Sequence, residues 1–172
     1  LGLNLLDCRH ENIDAACRRV VDKIERFAGN LVNVCETVST RYGVPIVNKR
    51  LAVSPISDVG AGYDSSGLVR LAQALDEGAK RVGIDFVGGY TAHVEKGASR
   101  SDDILIDSLP EAITSTEKVC ASINVATTRA GVNMNAIARL GHILKALAEA
   151  TSDRDGFACA RLVIFANQPQ DN

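Results

Sequence analysis

Two short stretches place reactive and ligand-binding side chains at alternate positions. In "KVCASINVA", Cys120, Ser122 and Asn124 alternate with Val119, Ala121, Ile123 and Val125. In "IVNKRLAVS", Asn48 and Arg50 fall in step with Ile46, Ala52 and Ser54, opposite Val47, Lys49, Leu51 and Val53. Alternate residues of a strand point to one side. A thiol beside a hydroxyl suits nucleophilic or acid–base chemistry, and a guanidinium among amides suits a carboxylate. A third stretch, "TTRAGVNMN", offers Arg129, Asn133 and Asn135 around Gly131, just ahead of a helix whose N–H groups would attract an anion. Asn133 reads equally well as that helix's N-cap.

Other chemistry is weaker. No histidine is obviously arranged to activate Cys120. Cys17 and Cys35 fall on an apolar helical stripe and read as packing residues. "HVE" at 93–95 has the H-x-E spacing of zinc deaminases, but no P-C-x-x-C follows, so it reads as a loop segment. "GAGYDSSG" follows a strand and precedes a helix, yet its glycines are not spaced G-x-G-x-x-G, and no G-x-x-x-x-G-K-[ST] occurs.

The elements that must position these residues follow from periodicity. Apolar residues recur at helical spacing from about 11 to 42, a long amphipathic helix stopped by Gly43 and Pro45. A strand over 46–54, a helix over 65–82, a strand through "GIDFVGGYTA", a helix over 101–116, a strand over 118–126, a helix over 133–151 and a last strand in "ARLVIFAN" come next. The opening "LGLNLLDC" reads as a strand already under way, as in a piece of a longer protein or one chain of a split one. This β-α alternation predicts an α/β fold with a parallel sheet and crossover helices, open or rolled into a barrel. Strands covered on both faces should be apolar on both. The polar faces at 46–54 and 120–124 therefore point to a wet cavity, or else to a local hydrogen-bond network inside an ordinary sheet.

Composition narrows the partners. With 172 residues, a net charge of −2 and only 4% aromatic residues, the chain has neither the basic footprint nor the stacking platform of a nucleic-acid binder. Five cysteines with no C-x-x-C favour reduced thiols in a cytoplasmic protein. No apolar run reaches the roughly 20 residues of a membrane span.

"NLLDC", "GVPIVNKRLAVSPIS", "GIDFVGGYTAHVEKG", "DILIDSLPEAI", "EKVCASINVATTRAGVNMNAI" and "RLVIFAN" together resemble, in order along nearly the whole chain, the bacterial and archaeal "domain of unknown function 711" family. Members are longer, so residues 1–172 would be the N-terminal part of a single α/β barrel domain whose completing C-terminal part is absent from this chain. The resemblance implies a ten-stranded barrel similar to that of pyruvate formate-lyase and other glycyl radical enzymes, a cytosolic, dimeric protein, and a possible ACT-domain partner. Radical chemistry does not carry over, because the C-terminal glycine loop it needs is not in this chain.

The resulting expectation is an enzyme-like barrel that binds a small carboxylate-bearing metabolite in its lumen. Arg50 and Arg129 would anchor the anion, Asn48, Asn124 and Asn133 would orient it, and Cys120 and Ser122 would stand nearest the chemistry. The cofactor is open, a divalent cation among the possibilities. The rival expectation is a non-catalytic metabolite- or metal-binding regulatory protein, and a homo-oligomer suits either.

Overall fold

A computed structural model of the chain describes residues 1–166. In chain order the elements are β1 (Gly2–Leu3), α1 (Ile13–Ala28), α2 (Leu31–Tyr42), β2 (Arg50–Val53), α3 (Ile56–Val59), α4 (Ser65–Arg81), β3 (Phe86–His93), α5 (Arg100–Thr114), β4 (Val119–Asn124), β5 (Ala126–Thr127), β6 (Gly131–Val132), α6 (Met134–Ala150) and β7 (Leu162–Phe165). The fold is α/β. Five strands form one all-parallel sheet in the order β1-β2-β3-β4-β7, and β5 and β6 form a small antiparallel hairpin between β4 and α6. Asn167, the end of the expected last strand, lies outside the described residues.

Strand order follows chain order throughout. Right-handed crossovers then carry successive helices over the same side of the sheet. Accordingly α4 and α5 pack on β3 and β4, with α1 against α4 and α6 against α5. The core lies in that layer. Leu51, Val87, Tyr90, Val119, Ala121 and Ile123 point into it from the sheet, and Ile24, Leu68, Leu75, Leu105 and Leu109 meet them from the helices. The Tyr90 hydroxyl is satisfied there by Ser108. Gly78 lets α1 and α4 approach closely, since a Cβ there would stand 2.8 Å from Ile24 Cδ1.

The other face of the sheet is open. Arg50, Ala52, Val163 and Phe165 are exposed along it, and Gly88, Cys120 and Ser122 half-buried. Two expected elements come out shorter. The strand read over 46–54 is confined to Arg50–Val53, because β3 begins only at Phe86 and leaves 46–48 no strand to pair with. Lys49 is the last residue held, exchanging bonds with Asp85. The helix read over 11–42 breaks at Gly29–Asn30 into α1 and α2. No helix among the described residues is long and apolar enough to cross a membrane.

Candidate functional site

Register arranges the open face in rows. Arg50 pairs with Phe86 at the lowest. Gly2, Ala52, Gly88 and Cys120 line up above them. Thr91, Ser122 and Val163 follow, and His93, Asn124 and Phe165 close the carboxyl end. The second row is built from small side chains, so it is a trough. With Arg50 and Phe86 it encloses a depression of about 380 Å³ that reaches Cys120. A Cβ on Gly88 would meet nothing within 4 Å, which confirms open space at the trough's centre.

Arg50 is placed by its neighbour strand. Its guanidinium carbon lies 5.4 Å from the Phe86 ring centroid, within the range of a cation–π contact. It makes no ion pair among the described residues. An arginine held by a ring, with its charge uncompensated, keeps its donor fork free for an anion.

Cys120 stands two strands away on the same face. Burial pushes its thiol pKa up, and the fields of Arg161 and Arg50 only partly oppose that. Cys120 is therefore a neutral thiol at pH 7, not a resting thiolate. Its Sγ lies 3.9 Å from the Lys118 carbonyl, and Ser122, one row up, shares a 2.6 Å hydrogen bond with Thr91 Oγ1.

The base of β4 is clamped from both sides. Asp76, buried, accepts from the N–H groups of Glu117 and Lys118 at 2.8 and 2.6 Å. Arg161, also buried, donates to the carbonyls of Thr116 and Ile113 at 2.8 and 2.5 Å. These groups fix the height and direction at which Cys120 leaves the turn. Desolvation lowers the Arg161 pKa from its usual value.

The remaining expected residues are dispersed. Asn48 is exposed in the segment before β2, outside the strand whose alternation would have aligned it with Arg50. Arg129 is exposed at the turn of the β5–β6 hairpin. Asn133 is the N-cap of α6: its Oδ1 accepts from Ala136 N at 3.1 Å and its Nδ2 donates to the Val94 carbonyl at 2.7 Å. Both ends of that amide hold structure together. Asn124 is buried at the carboxyl end of β4, and its Oδ1 accepts no hydrogen bond. Arg50, Cys120 and Ser122 thus share one face, Asn124 closes it, and Asn48, Arg129 and Asn133 stand apart.

Phe86, Thr91 and Arg161 escaped the sequence reading. The first two belong to the site only through register across β3. "CARLVIF" did carry a signal for the third, a lone arginine entering an apolar strand. A larger surface depression, about 520 Å³, lies among Arg9, His10 and the 59–63 loop. There the Tyr63 hydroxyl already donates to the His10 carbonyl, and His10 Nδ1 accepts from the Asn12 N–H at 2.9 Å, so these groups are engaged in holding the loop. Among the described residues, no three or more His, Cys, Asp or Glu gather as a metal site.

These features define a singly wound α/β protein whose five-stranded sheet is all parallel, with helices on one face and a trough of small residues, edged by Arg50, on the other. The chain belongs to the family described as Uncharacterised ACR (DUF711), whose model matches residues 1–172. It is 51% identical over 172 residues to a UPF0210 protein of Pelotomaculum thermopropionicum and 52% identical over 172 residues to one of Methanococcoides burtonii. Each match covers 100% of this chain and 38% of the relative. A UPF0210 protein of Desulfovibrio desulfuricans is 50% identical over 171 residues. The chain thus spans little more than a third of the length of these relatives.

Proposed function

We propose that this chain supplies one side of an α/β barrel, with ten strands when complete, and that its open face lines a lumen that takes a small carboxylate-bearing metabolite. Arg50 anchors the anion over Phe86. Cys120 and Ser122 stand above it, nearest the reacting atoms, and the chemistry is acid–base or thiol chemistry on the bound compound. Arg129 and Asn48 reach such a lumen only if their loops fold over it in the complete, cytoplasmic protein, and Asn133 acts by fixing α6. The observation that carries this reading is the Arg50 guanidinium, on the open face beside the trough and without an ion-pair partner among the described residues.

Arg50→Ala in the intact protein should weaken binding of the retained metabolite by about 10- to 100-fold, the worth of one charge-assisted contact. Native mass spectrometry of wild type and variant reads this directly. Equal retention by both removes Arg50 from the site.

One observation favours a second reading. Burial keeps Cys120 protonated at neutral pH, which suits a protein that binds its ligand without transforming it. That protein would be a non-catalytic regulator linked to an ACT-domain partner, working as a homo-oligomer. Recovery of the ligand chemically unchanged after prolonged incubation supports the regulator, and turnover supports the enzyme.

A further inference from the structure

The carboxyl end of the open face poses a separate problem. Asn124 is 3% exposed, and its Oδ1 is sealed from solvent without a hydrogen-bond donor. Glu95 Oε2 is sealed and unpartnered in the same way. A buried acceptor left unpaired forfeits its hydration with nothing in return, so two at one end of a sheet call for an occupant. The backbone brings them together. His93 and Asn124 are register partners on adjacent strands, the Val94 N–H donates to the Asn124 carbonyl at 2.9 Å, and Glu95 follows directly in the turn.

His93, on the same face, is exposed and its ring makes no hydrogen bond among the described residues. Adjacent strands lie roughly 4.8 Å apart, close enough for facing side chains to share one ion. The site holds an amide oxygen, a carboxylate oxygen and an imidazole, two of these oxygens lacking donors. All three are ligands, and none is a donor when the imidazole presents its lone pair. A mixed nitrogen and oxygen set of this kind suits a first-row divalent ion such as manganese.

We infer that His93, Glu95 and Asn124 form a divalent metal site at the carboxyl end of β3 and β4. It lies four residues along β4 from Cys120, roughly 13 Å at the usual strand rise, so it stands independently of the Arg50 anchor. The H-x-E spacing at 93–95, without the cysteines of a deaminase, is one half of the site. Asn124, on the next strand, is the other.

The test is manganese titration of the intact protein after chelator treatment, followed by electron paramagnetic resonance and thermal melting. Wild type should bind one equivalent, show nitrogen hyperfine coupling from the imidazole, and melt higher with the ion than without it. His93→Gln should abolish the nitrogen coupling, and both His93→Gln and Glu95→Gln should weaken binding roughly tenfold or more, with His93→Gln, at an exposed ring, leaving the metal-free melting temperature unchanged. Asn124→Asp keeps the shape and adds charge, so it should tighten binding. Absence of stoichiometric manganese in wild type overturns the proposal and assigns the two oxygens to donors elsewhere in the polypeptide. So does equal affinity in His93→Gln and Glu95→Gln, or nitrogen coupling that survives in His93→Gln.

Discussion

Cys120 and Arg50 belong to different strands, yet the guanidinium bears on the thiol. Burial raises the thiol, and the two nearby guanidiniums, Arg161 before Arg50, hold that rise in check. Alkylation of Cys120, followed by mass spectrometry against pH, should therefore give a midpoint above the ordinary thiol value of about 8.5. Arg50→Ala should move it higher still; a lower midpoint in the variant would contradict the placement. The linkage has a definite sign. A group whose folded pKa is raised contributes stability that is complete below the unfolded value and lost as pH climbs through the folded one. The melting temperature should thus fall above about pH 8.5, and Cys120→Ala should make that fall shallower, while Cys8, Cys17, Tyr63 and Tyr90, all raised by burial too, keep part of it in the variant. At this scale the alternation in 119–125 made Cys120 and Ser122 legible. Phe86 was not legible, because its contact with Arg50 depends on register between strands 36 positions apart in number, which no local pattern encodes.

Elements show why local reading succeeds in some stretches and fails in others. The helices at 65–81, 100–114 and 134–150 carry their own signals, with Asp64, Ser99 and Asn133 as side-chain caps. The long helix failed because Phe27, Leu31, Val34 and Val38 keep helical spacing straight across Gly29–Asn30. Apolar phase survived where the backbone did not, and α2 buries none of its residues. The glycine pair in β3 is the opposite case, visible in sequence and decisive in structure. Register with β4 slips between Gly88 and Tyr90, and Gly89 takes a φ of 133°. That bulge turns Tyr90 into the core while Thr91 joins Ser122 on the open face. A Cβ at Gly89 would stand 2.8 Å from the Val53 carbonyl oxygen, in a conformation L-residues avoid. Gly89→Ala should cost about 1–3 kcal/mol or more, read as a lower denaturant midpoint. Gly88→Ala, with open space at its Cβ, should cost less than half as much; equal losses would show that the bulge is not where strain concentrates.

For the molecule as a whole, the one-sided sheet is the feature that the proposed barrel answers. All-parallel sheets occur almost only with both faces covered, because their backbone and apolar side chains otherwise meet water. Here the helices cover one face, while Val163 and Phe165 remain 45% and 46% exposed on the other. A conventional apolar helical layer over the middle of the sheet would bury the Arg50 charge without a partner, at a steep desolvation cost. The apolar pair on β7, by contrast, gives a following strand something to pack against. The proposed barrel, in which the sheet curls onward from β7 so that the same face closes on itself, would satisfy both demands. The relatives, of which this chain covers 38%, are long enough to do so. Hydroxyl-radical footprinting of the intact protein should then find Phe165 protected several-fold relative to Phe157, which is 54% exposed beyond α6, with Arg50 and Cys120 still reached by small reagents. A Phe165 modified as fast as Phe157 would leave the sheet open at β7, and the trough would then be a surface groove without a lumen.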